Sequence, residues 1–390
     1  MQKRKLAVVA FGMVAYSAVH AQSNVTLYGV ADAGMVYTPN YLGSKAYTLT
    51  SGVASSSAFG LKGSEDLGGG NAAIFNVENG YNIATGAVSQ NGTFFGRTAW
   101  VGLSGAPGAM TVGRQYSSAY WYTGYLTAGG SWAAAGAGFG AHPGDVDNLD
   151  TFNRVNNAIK YASPNFAGFS MQAMYGFGGK AGSFNTNSVK AVGAGYTNGP
   201  LTLGIGYQSA NRPNFSLFGN KANDSATGIN MTSYVDYGFA SAGAQNIFSF
   251  AGTYAVGEAT IGLNYSNSRF TDLGTVAVSG LSAKERAFRG TEAFNVGEIN
   301  FKYRFTPAWM LGTAWSYTRS SGATHAIYQQ VDIAFYYLLS KRTDLYAMGF
   351  YQHATGTDSR GLPAVANIAG WRASSTNTQT IATIGMRHRF

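Results

Sequence analysis

The most constraining feature of this sequence is an alternation of apolar residues with polar or very small ones, with a period of two. In 298–305, EINFKYRF, every second residue is apolar, and 201–208 and 259–265 follow the same rule. Successive side chains of a β-strand point to opposite faces of the sheet, so each segment has one apolar face. No helical periodicity of any length follows residue 21. The chain is therefore predicted to be all-β.

The scarcity of charged residues indicates what the apolar face contacts. Only 11% of the residues are charged, against about 25% in ordinary soluble domains. There is no run of 18 apolar residues, which excludes a helical membrane protein. A sheet inside a bilayer must close on itself to satisfy its hydrogen bonds. We therefore predict a transmembrane antiparallel β-barrel with a water-filled lumen, and the alternative is a soluble β-sandwich, which alternating strands also build.

Sixteen segments carry the strand pattern, and an even number is usual for bacterial barrels. Many are close to the roughly 9–11 residues that cross a bilayer at a tilt. The predicted strands are 24–37, 54–63, 71–80, 94–104, 109–115, 154–163, 168–177, 188–197, 201–209, 246–256, 258–267, 293–304, 309–319, 327–338, 344–353 and 379–390.

The connections between these segments alternate between short and long, which is typical of outer-membrane barrels with short periplasmic turns. The short turns are rich in Gly, Pro and Asn and comprise 105–108, 164–167, 198–200, Gly257 and 306–308. The long connections are 38–53, 81–93, 116–153, 210–245, 268–292 and 354–378. This arrangement predicts one barrel domain over 22–390.

Residues 1–21 have the features of a secretory signal peptide. Lys3, Arg4 and Lys5 precede the apolar stretch 6–18, and small residues stand before a cleavage point at Gln22. The alternative is a buried N-terminal helix. Cleavage would leave 23 basic and 17 acidic residues, a net charge of +6, too small and scattered to predict nucleic-acid binding. A secreted chain without cysteine has no disulfides to stabilise it.

Aromatic residues fall near both predicted membrane interfaces, where amphipathic rings are favourable. The group at the short turns and the C-terminus is Phe166, Phe169, Tyr303, Phe305, Trp309 and Phe390, and the group nearer the long loops is Tyr37, Tyr265, Trp315 and Tyr317. The sequence stops at Phe390, inside the last predicted strand. We expect that strand to close the barrel against the first one.

Several motifs resemble the Gram-negative general porin family, and the resemblance extends over 22–390. They are VTLYGVADAG at 25–34, FGLKGSEDLG at 59–68, FGRTAWVGL at 95–103, VGRQY at 112–116, RVNNAIKY at 154–161 and the terminal strand ending in Phe390. The resemblance implies a sixteen-stranded barrel in the outer membrane, a homotrimer and passive diffusion of small hydrophilic solutes and ions. It also implies a third long loop that folds into the lumen, and recognition of Phe390 by the barrel-assembly machinery.

The segment 116–153 is the candidate for that inward loop. It carries Tyr120, Trp121, Tyr122, Tyr125, Trp132 and Phe139, and its acids Asp145, Asp147 and Asp150 lie together near its end. Exposing so many large apolar groups to water is unfavourable, so the loop is expected to pack against the inner wall. There it would constrict the pore.

Alternation along the strands predicts which charged residues face this loop. If Trp100 points outward, Arg97 points into the lumen; if Val155, Ile159 and Tyr161 point outward, Arg154 and Lys160 point inward. The same argument places Lys62 and Asp32 inward and Arg114 outward, near a subunit contact. The predicted constriction therefore comprises Arg97, Arg154, Lys160, Lys62, Asp32, Asp145, Asp147 and Asp150.

The resemblance places a row of basic residues opposite acids of the inward loop. Arg97 and Arg154 match two of its members, whereas Val30 and Ala58 stand where many relatives carry a base. These departures indicate a weaker transverse field. The net charge of +6 and the inward Arg97, Arg154 and Lys160 predict a mild anion preference, and the three loop aspartates argue against a strong one. The alternative role for Arg97 and Arg154 is an ion pair that holds the loop down, and the two roles are compatible.

Other chemistry has little support in the sequence. The histidines have no metal-ligand spacing, and Asp145–Asp150 lacks the central Gly and distal Glu of a calcium loop. No cofactor motif and no GxSxG nucleophile elbow is present, so neither a cofactor nor an enzyme is expected. The alternatives to a channel are a hydrolase using His325 or His353 at the rim, and an adhesin that binds through 210–245 and 268–292.

Overall fold

The computed structural model describes residues 24–150 and 152–390, and the predicted signal peptide lies outside them. Every strand pairing is antiparallel, and seventeen strand segments form one closed sheet. The all-β barrel prediction is confirmed. The strands are β1 Asn24–Tyr41, β2 Ser44–Ser51, β3 Ala58–Gly68, β4 Asn71–Gly80, β5 Thr98–Gly105, β6 Gly108–Gln115, β7 Val155–Ala162, β8 Phe169–Gly176, β9 Val189–Asn198, β10 Leu201–Asn211, β11 Ala244–Val256, β12 Ala259–Leu273, β13 Gly290–Arg304, β14 Trp309–Ser321, β15 His325–Leu338, β16 Thr343–Thr357 and β17 Thr378–Arg389.

The seventeen segments occupy sixteen barrel positions, because β2 and β3 share one. β2 pairs with β1 from Ala33 onward, whereas β3 pairs with β1 at Asn24–Val30. Between them, 52–57 leaves the ladder and bulges into the barrel, where Val53 and Ala54 are fully buried. We call this segment the strand bulge.

The barrel closes between its first and last strands. β17 pairs with β1 from Val30 opposite Arg389 to Tyr37 opposite Ala382. The backbones of Gly29 and Phe390 then exchange two hydrogen bonds of 3.0 Å. The described strands therefore form a closed sheet with no unpaired edge strand, which is what a sheet in lipid requires.

Exposure alternates along the strands as the sequence pattern predicts. On β12, Ile261, Leu263 and Tyr265 are exposed on the outer face, whereas Asn264 and Ser266 are buried on the inner face. The interface aromatics are on the outside too, and the exposed ones include Phe166, Phe305, Trp309, Phe390, Tyr265 and Trp315.

Two connections differ from the prediction. Most of 38–53 is strand, because β1 and β2 continue into a hairpin that turns at Leu42 and Gly43, both with positive φ. Their Thr and Tyr side chains favour extended backbone, which apolar alternation alone does not detect. A loop at 177–188 between β8 and β9 was not among the predicted long connections.

Helical segments are short and lie in the loops. They are α1 Ser89–Gly92, α2 Ser118–Thr123, α3 Pro213–Ser216 and α4 Ala283–Arg286, with single 3₁₀ turns at Gly124–Leu126, Pro143–Asp145 and Tyr237–Phe239. Among the described residues, no helix is long and apolar enough to cross a membrane.

The core lies inside the barrel and consists of loops packed on the inner wall. One cluster joins 212–243 to the strands through Leu217, Met231, Val235 and Phe239. A second joins the segment 116–153 to β14–β17 through Trp132 and Phe139. The lumen is thus narrowed by several loops and not only by the predicted one.

The outer face can be tested with one charge placed at two depths. Leu263 lies in the middle of the apolar band of β12, and Val256 ends β11 beside a periplasmic turn; they are 58% and 57% exposed. We expect Leu263→Arg to lower the free energy of unfolding by about 2–4 kcal/mol, and Val256→Arg by about 0–1 kcal/mol, because a charge at mid-bilayer is desolvated. Denaturant titration of the barrel in lipid vesicles measures both. Equal losses would show that this face does not contact lipid.

Candidate constriction site

The inward loop, residues 116–153, is attached first to the wall at β8–β11. Helix α2 lies so close to the sheet that a Cβ at Gly206 would overlap Ala119. The Thr123 and Ser249 hydroxyls lie 2.9 Å apart, and the Tyr122 hydroxyl donates to Ser170 Oγ at 3.1 Å. Glycine on the strand therefore makes room for the loop backbone.

The middle of the inward loop crosses the strands from β13 to β15. The Tyr336 hydroxyl donates to the Trp132 carbonyl at 2.6 Å, and Gln330 Nε2 donates to the Phe139 carbonyl at 2.8 Å. The Trp132 ring occupies the space where Gly312 lacks a Cβ. Polar side chains of the inner wall thus satisfy loop carbonyls that would otherwise be buried without partners.

The far side of the inward loop meets the strand bulge. The Gly136 and Ala137 amides both donate to the Val53 carbonyl at 3.1 Å. Asp32 holds the bulge in place, since its carboxylate accepts from the amides of Val53 and Ser55 at 2.9 Å and from the Tyr346 hydroxyl at 2.8 Å. Asp32 points inward as predicted, but it is fully buried beneath the bulge.

A buried charged group, formed by His142, Asp147 and Glu298, holds the part of the inward loop that leads back toward β7. His142 Nδ1 lies 2.6 Å from Asp147 Oδ2, and His142 Nε2 lies 3.3 Å from Glu298 Oε2 on β13. Ser266 also donates to Asp147. Burial alone lowers the pKa of His142, but Asp147 and Glu298 outweigh it and raise that pKa well above its ordinary value. The pKa of Asp147 is lowered, because His142 outweighs the effect of burial.

The two other loop acids have different environments. Asp145 accepts from the amides of Asp150 and Phe152 at 2.9 and 3.0 Å, and burial followed by the nearby Asp147 raises its pKa to about 7. Asp150 lines the open lumen, and burial, with Asp145, raises its pKa well above the ordinary value. Of the three predicted acids, only Asp150 belongs to the cavity lining, and both of its carboxylate oxygens are buried without a hydrogen-bond partner among the described residues.

That space is a cavity of about 1250 Å³ between the inward loop and the opposite wall. Arg97 and Arg154 line it, as does Asp150. Arg97 Nε pairs with Glu78, and the Arg154 guanidinium lies 4.8 Å from the Tyr116 ring centre and donates to the Tyr116 hydroxyl at 3.1 Å. Both arginines thus have a structural partner and also line the lumen.

Trp100 and Val155 do not point outward, contrary to the prediction from strand alternation. Trp100 stands opposite Asn76 on the inner face, not on the outer one, and Arg97 reaches the lumen because it precedes the β5 ladder. Val155 is buried against the core and does not point outward. A register shift beside Asn157, which has a positive φ, resets the alternation in β7.

The two predicted lysines both lie on the inner face but away from the cavity lining. Lys160 is near the periplasmic end of β7, with Nζ 5.8 Å from the Trp121 ring centre. Lys62 on β3 lies 5.3 Å from the Tyr28 ring centre. They therefore contribute positive charge to the lumen outside the narrow part.

Arg114 does not project toward a neighbouring subunit, contrary to the prediction. Its side chain is 8% exposed and donates to the Gly96 carbonyl at 2.9 Å, to Asn156 and to Asn220. Residue 220 belongs to the loop between β10 and β11, which folds over the end of β6. A local sequence pattern could not predict the contact between Arg114 and Asn220, because the two residues are more than 100 positions apart.

Sequence reasoning missed three contributors to the site. His142 has no nearby histidine, so nothing in its spacing marked it as an anchor. Lys221 and Arg372 also line the cavity, but they come from loops expected to lie outside. Within the described residues, no group of three or more His, Cys, Asp or Glu side chains is arranged to hold a metal ion.

Comparison with known proteins gives consistent matches. A family model described as Gram-negative porin matches residues 6–358. An outer membrane porin protein of Bordetella pertussis is 32% identical over 224 residues, 50% of this chain and 57% of that protein. Outer membrane porin protein 32 of Delftia acidovorans is 35% identical over 214 residues, 52% of this chain and 59% of that protein. Each alignment spans less than two thirds of the relative.

Solved structures match over nearly the whole chain. The anion-selective porin from Comamonas acidovorans has a TM-score of 0.72 at 21% identity and covers 95% of this chain and 100% of its own. In-vitro folded OmpT of Vibrio cholerae, in a trimer form, has a TM-score of 0.59 at 16% identity, covering 94% and 99%. At these identities the similarity shows the fold alone.

The buried charged group predicts a large local effect of one substitution. We expect Asp147→Asn to destabilise the docked loop by about 3–5 kcal/mol, because it leaves His142 buried without its closest partner. Hydrogen exchange at the amides of 124–150 measures this, and protection there should fall while the strands stay protected. Asp66→Asn, at an exposed periplasmic turn, is the matched control and should change nothing. Unchanged protection in Asp147→Asn would refute the anchoring role.

The same group predicts a dependence on pH with a definite sign. The pKa of His142 is raised in the folded protein, so its stabilisation is complete below its ordinary pKa of about 6.5 and is lost as the pH rises through the raised value. Protection factors of the loop amides, corrected for intrinsic exchange, should therefore fall under alkaline conditions. The His142→Gln variant should show low protection without this transition. A wild-type loop that gains protection at alkaline pH would contradict the assignment.

Proposed function

The chain belongs to the Gram-negative porin family, and from that premise we propose that it is a general diffusion channel of the bacterial outer membrane. The members of that family are channels and not enzymes. The observation that carries the proposal is the cavity of about 1250 Å³ that Arg97, Arg154 and residues of the inward loop line. Small hydrophilic solutes and ions are the substrates that such a polar passage admits.

Within this proposal, the predicted residues divide into two roles. Arg97, Arg154 and Asp150 form the constriction, and Lys62 and Lys160 supply positive charge on the rest of the inner wall. Asp32, Asp145 and Asp147 have no open contact with the lumen, so they act by holding the strand bulge and the inward loop in position. The width of the passage thus depends on residues that do not line it.

We also propose a mild preference for anions. Four basic side chains line the cavity, namely Arg97, Arg154, Lys221 and Arg372, against three acids, Asp150, Asp224 and Asp236. Burial raises the pKa of Asp150 and of Asp236 well above the ordinary value, and it also lowers the pKa of Lys221. The proposed preference therefore depends on the guanidinium groups. Guanidinium groups stay protonated at every working pH, so their contribution to the positive field does not change with pH.

The proposed partners follow from the family and the outer surface. The apolar outer face contacts lipid, three copies form a homotrimer, as the trimer form of Vibrio cholerae OmpT does, and the barrel-assembly machinery recognises Phe390. The domain proposal, a signal peptide at 1–21 and a single barrel over 22–390, completes this picture. No nucleic-acid partner is expected.

Replacing one arginine tests the proposed selectivity. A unit charge about 8 Å from an ion changes its energy by about 0.5 kcal/mol even at the dielectric constant of water. We therefore expect Arg97→Gln to lower the chloride-over-potassium permeability ratio by about twofold or more. The reversal potential under a salt gradient across a planar bilayer gives this ratio.

The matched control is Arg342→Gln, which makes the same change at an exposed periplasmic turn and should leave the ratio within error. An Arg97→Gln channel with unchanged selectivity would remove Arg97 from the ion filter. A purified wild-type protein that inserts into the bilayer and conducts no current would overturn the channel proposal itself.

A further inference from the structure

Four aromatic rings follow one another along the lumen. The Tyr116 and Tyr120 rings are stacked with centres 5.5 Å apart, Tyr120 and Tyr125 lie 4.8 Å apart, and Tyr125 and Trp121 meet edge to face at 5.6 Å. All three separations are within the range of favourable aromatic contacts. We call Tyr116, Tyr120, Tyr125 and Trp121 the aromatic path.

The aromatic path runs from the extracellular to the periplasmic part of the lumen. Tyr116 follows the end of β6 and contacts Arg154, at the start of β7. Trp121 contacts Lys160, two residues before β7 ends at a periplasmic turn. Arg154 and Lys160 are six positions apart, a span of less than roughly 20 Å at about 3.3 Å per residue because β7 is bulged beside Asn157.

Positive charge stands at both ends of the aromatic path. The Arg154 guanidinium lies 4.8 Å from the Tyr116 ring centre and Lys160 Nζ lies 5.8 Å from the Trp121 ring centre. Arg97 lines the same cavity and uses Nε for Glu78, and its two terminal nitrogens have no hydrogen-bond partner in the described part of the chain. The acids that line this cavity are Asp150, Asp224 and Asp236, and Glu78 is paired with Arg97.

Two rings of the aromatic path are open to the lumen. Trp121 and Tyr125 are each 46% exposed, whereas Trp132 and Phe139 of the same loop are 4% and 0% exposed. The packing of the inward loop therefore does not require the free faces of Trp121 and Tyr125. A large apolar ring left facing water beside a fixed cation is a surface on which a flat solute can stack.

We propose that the aromatic path binds small aromatic carboxylates and guides them through the constriction. Their rings stack on Tyr125 and Trp121, and their carboxylate pairs with Arg97 at the entrance and with Lys160 at the exit. An aliphatic acid would use only the cations, and a neutral sugar would use only the rings. This inference rests on the proposed channel function and names a solute class for it.

Solute-induced block of single channels tests the inference. Benzoate is the probe, and cyclohexanecarboxylate, which has the same charge and nearly the same size but no π-system, is the reference. We expect benzoate added on one side to block the potassium chloride current at a concentration several-fold lower than cyclohexanecarboxylate. Equal blocking concentrations, or no block by either, would overturn the aromatic path.

Variants at one ring locate the effect. We expect Tyr125→Leu to raise the half-blocking benzoate concentration by about twofold to tenfold, the range given by one aromatic contact. The Tyr125→Phe variant keeps the ring, so its half-blocking benzoate concentration should equal that of the wild type. Tyr234→Leu is the matched control, because Tyr234 lines the same cavity from another loop and stacks on Arg360 instead.

The outcomes separate this inference from the channel proposal. A wild-type protein that conducts potassium chloride but shows no preference for benzoate overturns the aromatic path alone. Equal losses of block in Tyr125→Leu and Tyr234→Leu would place the binding elsewhere in the cavity and overturn it as well. A wild-type protein that inserts without conducting overturns both proposals.

Discussion

The structure depends on the requirement that every backbone donor and acceptor at membrane depth find a partner within the protein. An open sheet would leave two edges unpaired in lipid, and the pairing of β1 with β17 removes both. The last contact of this seam, between Gly29 and Phe390, uses the final residue of the chain. Closure fixes the diameter of the barrel, and a sixteen-position barrel is too wide for wall side chains alone to fill it. The interior is therefore available to loops.

A loop that enters this interior loses water and must be compensated by the wall. The inward loop obtains its partners from Tyr336, Gln330, Glu298 and the strand bulge, on strands far apart in sequence. The pair of His142 and Asp147 is buried at a cost, and additional hydrogen bonds from Ser266 and the proximity of Glu298 offset that cost. Attachment at several points makes the loop a rigid boundary of the passage and not a flexible flap.

The sequence predicts the strands well because alternation is a local property. Predicted and observed strands agree closely at 71–80 and, within a few residues, at almost every other position. The site was harder to predict for physical reasons. A bulge in β7 shifts the alternation at Val155, and Arg97 lies before the β5 ladder and so does not share the alternation of Trp100. The orientations of Val155 and Trp100 were therefore wrong, although Arg97 and Arg154 do line the lumen. The cover over Arg114 and the burial of Asp145 and Asp147 arise from contacts between distant segments, which no local pattern reveals.

Val30 and Ala58, where the resemblance predicts basic residues, lie beside the docking place of the inward loop. Val30 and Ala58 pair with each other directly below the strand bulge, and Ala58 is 5% exposed. The inward loop lies directly against this bulge, since a Cβ at Gly136 would overlap the backbone of Gly52, Ser55 and Ser56. The guanidinium beside this bulge is that of Arg387, which donates to Ser55 Oγ at 2.7 Å and pairs with Asp344 at 3.0 Å. Arg97 and Arg154 line the cavity instead, and Arg154 lies against the Tyr116 ring. In the proposed channel a solute that reaches them therefore meets charge and aromatic surface together.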